Sequence, residues 1–465
     1  MAAVRFANYE ELTGHGRTAL RADALAIAAA GLRAADPAAE LARSLRLDGD
    51  RLIVSGAPPA VVELTGRRLF LLGAGKATFG MAEVLDDLLG PRFTDAAIVV
   101  KRQGRRRALR CVEVLEAAHP VPDETSLAGG LRLQAVAAAA RPGDLVIALV
   151  TGGSSALAVV PAADISLSDK IETNRLLLAS GADIVAINSV RKHLSAIKGG
   201  RLGLACGCEI VNFTASDVVG DPLDCVTDLT VPDSSTWAAA QAVCDRFGLW
   251  DALPVAVAAR LRRADPREET PKELPAVRTW IMADAARMCA AAVAEAQARG
   301  YAAELLGLDW QGEAREAGTA LARRLAACAA HSCVVAGGEN VVTLAGRAAG
   351  GRGGPGHEAA PAAALGPGRG GPNQEAALAA ALELAGGPAA AVVCLDSDGS
   401  DGPTDAAGGL IDDATAAAIA AAGRDGATAL AAHDVYDALL GAGDLVVMGP
   451  TDTNVNDLKI ALRGV

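Results

Sequence analysis

"RLFLLGAGKATFGMAEVLDDLLG", Arg68 to Gly90, decides the architecture. An apolar run of strand length meets a glycine-rich turn, and the turn opens directly into a helical pattern. The alternation continues outward: "DAAIVV" (Asp95–Val100) has strand character, "SLAGGLRLQAVAAAA" (Ser126–Ala140) has helical character, and "DLVIALV" (Asp144–Val150) is again a strand. Strands that alternate with helices pair in parallel and carry helices on both faces, so the chain reads as an α/β protein with a mostly parallel sheet. In such sheets ligands gather at the carboxyl ends of the strands.

The 465 residues exceed what one hydrophobic core usually supports, which predicts two α/β domains. The charged, proline-bearing stretch Leu261–Pro275 reads as the linker, giving domains over 1–262 and 276–465, with the last strand able to return to the first. Beyond it come a helical run over Thr279–Gly300, a strand near Tyr301–Leu308, a helix from Ala314, strands at Ser332–Gly338 and Ala389–Gly399, and two short strands within Asp444–Leu462. The glycine- and proline-rich stretch Ala345–Pro372 reads as a mobile surface loop.

Hydrophobic residues make up 51% of the chain and aromatics only 3%, so the cores must be packed from Ala, Val, Leu and Ile. A net charge of -12 argues against non-specific nucleic-acid binding, which needs basic surface. No apolar run approaches the roughly 18 residues of a membrane span, and the N-terminal stretch has no apolar signal core, so a cytoplasmic protein without membrane association is expected. Nine cysteines are unevenly spread; the one close pair, Cys206 and Cys208, lacks the companions of a zinc site, and buried reduced thiols are expected.

Several loops offer chemistry. The turn at Gly73 and Gly75 is not a dinucleotide fingerprint, because the third glycine would fall on Thr78; nor is it a Walker loop, with Phe70 and Ala77 in place of the first glycine and the hydroxyl. Backbone N–H groups at a helix N-terminus, with Lys76 beside them, suit an anion, and a plain tight turn is the other reading. "TGGSSA", Thr151–Ala156, misses the last glycine of a nucleophile elbow; Gly152, Gly153, Ser154 and Ser155 suit a carboxylate or phosphate cradle, or a structural turn. In "AINSVRKHLSAIKGGRLG", Asn188, Arg191, Ser195 and Lys198 share one face at helical spacing, joined by Arg201, as a polyanion site or as a solvated basic face. Asp217 and Asp221 stand in a loop after an apolar run, as magnesium ligands or as turn residues. The acidic "CLDSDGSDGPTDAAGG", Cys394–Gly409, is no calcium loop, since Ser400 and Ala407 occupy ligand positions.

Taken in order, "GAGKA", "HPVPDE", "TGGSSAL", "INSVRKHLSAIKGGRL", "SDVVGDPLD", "VPDSST", "GRGGPNQE", "DSDGSDGPTDAAGG" and "GPTDTNVNDL" resemble the class II glycerate 2-kinase family, whose C-terminal part is called the MOFRL domain and some of whose members carry the older label hydroxypyruvate reductase. The resemblance covers nearly the whole chain. It implies a larger Rossmann-like N-terminal domain, a smaller α/β C-terminal domain, an active site in the cleft between them, and ATP-dependent phosphorylation of D-glycerate on its 2-hydroxyl, with Mg2+ accompanying ATP.

On that resemblance Lys76 and Arg191 take the electrostatic role, and Asp217 binds the metal or accepts the hydroxyl proton, with Asp221 the second metal ligand. His119, Ser154, Ser155, Asn188 and Lys198 hold the substrate. Gly73, Gly75, Gly152, Gly153, Asn373, Gln374, Glu375, Asp398, Thr404 and Asn454 line the nucleotide. Pro372 stands where many members read arginine in "GGRNQE", with Arg369 nearby, and "TDLTVPD" replaces the usual "SGPTVPD". A homodimer is left open as the assembly. The competing readings are an NAD(P)H-dependent hydroxypyruvate reductase and a non-catalytic binder of small organic anions.

Overall fold

The computed structural model describes residues 5–56, 58–102, 107–216, 223–226, 229–274, 276–343, 368–451 and 453–465. Asp217, Asp221 and the loop expected from Ala345 as far as residue 367 lie outside the described residues. Pro37–Met282 forms one compact unit; the described residues of Met1–Asp36, Ala283–Ala348 and Ala359–Val465 form the other.

In the first unit, β1 (Leu45–Asp48), β2 (Arg51–Val54) and β3 (Ala60–Glu63) make a small antiparallel sheet. The main sheet contains β4 (Leu69–Ala74), β5 (Phe93–Lys101), β6 (Glu113–Ala117), β7 (Leu145–Val150), β8 (Glu209–Ala215) and β9 (Val277–Ala283), in the order β6-β5-β4-β7-β8-β9. The pairings β4 with β5, β4 with β7, β5 with β6 and β7 with β8 are all parallel. Alternate residues of each strand serve opposite cores, as the two-residue period requires. Leu69 and Leu71 join Ile147, Leu149 and Phe213 on one face, while Phe70 and Leu72 join Val146, Ala148 and Leu133 on the other. Both faces are covered, which is why these strands read as continuous apolar runs.

The second unit holds β10 (Ala302–Gly307), β11 (Ser332–Gly337), β12 (Ala390–Asp396), β13 (Gly408–Asp412), β14 (Leu445–Val446) and β15 (Asp457–Arg463), ordered β10-β11-β15-β12-β13-β14. The last strand runs through the middle of this sheet, antiparallel to both β11 and β12, and does not return to the first unit. Its core is small and aliphatic, with Leu321, Leu378, Val392, Ile411 and many alanines.

These units differ from the boundaries expected at 262 and 276, for three reasons. The helix Thr18–Ala34 packs on the helix Ala285–Ala298, β12 and β15, so the first residues belong with the last. The presumed linker is folded in: Glu269 accepts from the Trp237 N–H at 3.0 Å, and the Asp233 N–H donates to the Pro271 carbonyl at 3.0 Å. Finally, the helix expected from Thr279 begins only at Ala285, where Asp284 caps it by accepting from the Arg287 N–H. The residues before it form edge strand β9, with Trp280 and Met282 packed into the core around Phe213. Among the described residues no helix is long and apolar enough to cross a membrane.

Candidate active site

Strand order β6-β5-β4-β7-β8-β9 reverses direction between β4 and β7, and a crevice opens at the carboxyl ends of strands flanking such a switch. Both glycine turns singled out in the sequence hang from these two neighbouring strands. They touch backbone to backbone: the Lys76 N–H donates to the Gly152 carbonyl at 2.9 Å, and the Thr151 N–H donates to the Ala74 carbonyl at 3.0 Å. Gly75 has φ +143°, and any Cβ there would overlap the Thr151 hydroxyl and carbonyl, so only glycine permits this approach. The Thr151 hydroxyl accepts from the Ala77 N–H at 3.2 Å and lies 3.2 Å from the Thr78 hydroxyl, locking the turn to the start of the helix Thr78–Leu89.

Gly153 caps the second turn with φ +85°. A Cβ on it would stand 3.2 Å from both His119 Nε2 and Lys76 Cγ. Lys76, His119 and Gly153 therefore meet, with the first two half-buried. Ser154 is buried beside them, its N–H on the Thr151 carbonyl at 3.2 Å. His193 is committed elsewhere: Nδ1 lies 2.6 Å from the Ser189 carbonyl, Nε2 lies 2.7 Å from Glu269 Oε1, and the ring packs on Trp237. Burial lowers the His193 pKa, while Glu269 drops to about 2: against its own burial it accepts from the Trp237 N–H, His193 and the Thr270 N–H.

The basic segment is arranged differently from the single helical face expected. Its helix, capped by Asp183, ends at His193, and Ser195 bridges to Pro161. The turn that follows swings Lys198 back, so that Arg191 and Lys198 wall one cavity, joined by Ser155, Lys170 and Asn174. Arg191 Nε donates to Asn174 Oδ1 at 2.5 Å, and Lys198 Nζ donates to Ser155 Oγ at 2.7 Å. Lys76, His119, Ser154 and Asn188 do not wall this cavity; Asn188 is buried one helical turn before Arg191. Arg201 does not join either, because its guanidinium serves the carbonyls of Lys192 and Glu268. Lys192 is neutralised internally by Asp224 at 3.0 Å and Asp233 at 2.9 Å. Burial opposes its charge, but the two carboxylates prevail and raise its pKa above the ordinary lysine value.

In the second unit the late motifs also converge. Asp401 accepts from the Asn373 N–H at 3.0 Å and the Gln374 N–H at 2.9 Å, capping the helix Pro372–Leu384. Asn373 Nδ2 donates to Asp457 at 2.8 Å, and Gln374 Nε2 donates to Thr404 at 2.8 Å. Burial lifts Asp401 to about 7 despite those donors. Glu375 is buried against His433 at 2.7 Å and Arg315 at 3.5 Å, and burial raises its pKa. The loop carrying Asp398 is tied to the loop carrying Asn454: the Val455 N–H donates to Ser397 Oγ, and the Thr451 N–H donates to the Asp398 carbonyl. Asp398, Thr404 and Asn454 are half-buried on these loops, whereas Asn373, Gln374 and Glu375 lie behind them in the interior.

Residues 23–262 match the domain of unknown function DUF4147, and residues 361–457 match the MOFRL family. The glycerate 2-kinase of Pyrococcus horikoshii is 34% identical over 95% of this chain and 97% of its own. The chain belongs to the glycerate 2-kinase family. A relative from Agrobacterium vitis carrying the hydroxypyruvate reductase label is 38% identical over 85% of this chain and 87% of its own. Among solved structures, a glycerate kinase of Thermotoga maritima superposes with TM-score 0.79 at 32% identity, over 96% of this chain and 99% of that one.

Against the glycerate 2-kinase pattern, Pro372 fits where it stands: it opens the helix Pro372–Leu384, a position that needs no N–H donor. Arg369 lies over the Tyr436 ring at 3.5 Å and 3.6 Å from Asp405, on the surface. Asp233 of the altered "TDLTVPD" holds Lys192. Sequence reasoning missed Lys170 and Asn174, whose helix Leu167–Ala179 shows only ordinary amphipathic spacing, and the signal that could have drawn attention was a lysine on its buried side. Eight described cysteines are free thiols, with Cys111 exposed rather than buried as expected; burial pushes Cys206 to about 12 and Cys208 to about 11.

Proposed function

We propose that this protein transfers the terminal phosphoryl group of ATP to the 2-hydroxyl of D-glycerate, yielding 2-phosphoglycerate and ADP. The observation that carries the reading is the meeting of two glycine turns at the β4/β7 switch with Lys76 and His119 against Gly153. Relatives named glycerate kinase support it.

Phosphoryl transfer needs alignment and charge neutralisation more than covalent help. The hydroxyl oxygen forms a bond to the γ-phosphorus as the bond to the bridging oxygen breaks, ADP departs, and the hydroxyl proton passes to a base, for which Asp217 is the candidate. Lys76, at the N-terminal end of the helix Thr78–Leu89, offsets charge on the transferred group. His119 and Ser154 orient the substrate hydroxyls, and Gly73, Gly75, Gly152 and Gly153 let the backbone approach the phosphates. Asp398, Thr404 and Asn454 are taken as the nucleotide contacts of the second unit, backed by Asn373, Gln374 and Glu375. Asp221, and Asp217 where it is not the base, would hold a magnesium ion, which would offset charge on the phosphates.

The test is a coupled ADP assay with ATP and D-glycerate, L-glycerate or glycerol, followed by identification of the phosphorylated position. ADP release dependent on D-glycerate and a 2-phosphate product are expected. Nicotinamide oxidation with hydroxypyruvate and no ADP release would favour the reductase instead; β5 ends in Lys101, not in the acidic residue that holds a nicotinamide cofactor's ribose.

A further inference from the structure

The cavity walled by Arg191 and Lys198 contains a third cation, Lys170, on the helix Leu167–Ala179. The side chains of Lys170, Arg191 and Lys198 belong to residues only 8%, 9% and 1% exposed, so three positive charges are held in the interior around one hollow. Whatever partners each cation has, three of them lining one hollow focus a positive potential into it and draw in an anion. Of the three neutral polar residues in the same wall, two are set by the cations: Asn174 accepts from Arg191 Nε, and Ser155 accepts from Lys198, which leaves its own O–H as a donor, while the Thr173 hydroxyl donates to the Asp169 carbonyl.

Size selects among anions. The cavity measures about 30 Å³, room for about two water-sized groups, which matches the two oxygens of a carboxylate and not a triphosphate. We infer that this cavity is the carboxylate subsite, and that Lys170 and Asn174 are specificity-determining residues that make the acceptor a small hydroxy acid and exclude neutral polyols. This deepens the proposed kinase reading and rests on it for the identity of the acid. Arg191 and Lys198 then serve substrate recognition, while Lys76 serves the transferred phosphoryl group.

The inference is tested by steady-state kinetics on the full chain, with Lys170→Met, Asn174→Ala and Lys170→Arg alongside wild type. Removing one charged hydrogen bond to the carboxylate should raise KM for D-glycerate roughly 10- to 100-fold while kcat at saturation and KM for ATP stay near wild type. Lys170→Arg should recover most of the loss. An unchanged KM for D-glycerate, or a rise confined to ATP, overturns the assignment. Calorimetry of D-glycerate against glycerol, without nucleotide, reads the cavity apart from catalysis. If wild type releases no ADP yet binds D-glycerate and not glycerol, and the variants lose that binding, the kinase reading fails and the carboxylate subsite stands. If wild type binds D-glycerate no better than glycerol, the subsite fails. Should Lys170→Met not fold, Asn174→Ala and Lys170→Arg carry the same comparison.

Discussion

Gly153→Ala tests whether the second glycine turn positions the reactive side chains. The new methyl group acts in two separable ways. Holding alanine in the left-handed region at φ +85° costs about 1–2 kcal/mol, equivalent to a fall in Tm of about 2–8 °C for a domain of this size. The methyl group would also stand 3.2 Å from His119 Nε2 and Lys76 Cγ, so both must retreat by a few tenths of an ångström. Because a misplacement of about 1 Å can cost ~100-fold in rate, a shift of this size should lower kcat several-fold. Gly207 supplies the control. It too is left-handed, at φ +61°, but nothing among the described residues lies within 4 Å of where its Cβ would be. Gly207→Ala should therefore lower Tm similarly and leave kcat alone. Thermal melts and the coupled ADP assay on both variants decide the matter. Wild-type kcat in Gly153→Ala, or an equal loss of kcat in Gly207→Ala, would refute the positioning argument.

Lys76→Ala should leave the melting curve nearly unchanged and lower kcat by about 100- to 1,000-fold, the usual worth of one preorganised electrostatic group; near-normal turnover removes Lys76 from the mechanism. Lys192→Met strands Asp224 and Asp233 together in the interior and should destabilise the fold by about 3–5 kcal/mol, read by urea unfolding, with Asp233→Asn in the same chain recovering part of it. Glu269 titrates at about 2 in the folded protein against 4.5 ordinarily, so its contribution is present above pH 4.5 and fades as pH falls toward 2. Glu269→Gln should be less stable than wild type at pH 6, and the gap in Tm should narrow through that acid window; a constant gap would mean that the charge on Glu269 is not what matters.

The parallel sheet and its two glycine turns were legible because both rest on local patterns: apolar runs of strand length, glycines at their ends, and helices after them. Their meeting was legible only through topology, since nothing local says that the strands before Gly75 and Gly153 are neighbours. Other features depended on partners far along the chain. The stretch Leu261–Pro275 has the composition of a linker, yet Glu269 is held by Trp237 and Thr270 N–H groups and by His193, pairings that no window of sequence displays. The strand over Val277–Ala283 was hidden by the helical pattern that follows it; the clue was Asp284, a good capping residue placed between them. Arg191 and Lys198 were picked out together for the wrong geometric reason, since the helix breaks after His193 and the following turn, not helical spacing, brings them to one cavity. Lys170 was marked only by its place on the buried side of its helix, at helical spacing from Thr173 and Leu177.

The helix Thr18–Ala34 has a consequence for how the chain is made. It is synthesised with Leu25, Ile27 and Leu32 on a face destined for burial, but that face is completed in part by β15, hundreds of residues farther along the chain. At ordinary elongation speeds the wait is roughly 20–90 s, during which the intervening unit has time to fold. A nascent segment so exposed is a natural client for chaperones. Deleting it should therefore harm the C-terminal sheet, hundreds of residues downstream, before it harms the crevice between β4 and β7.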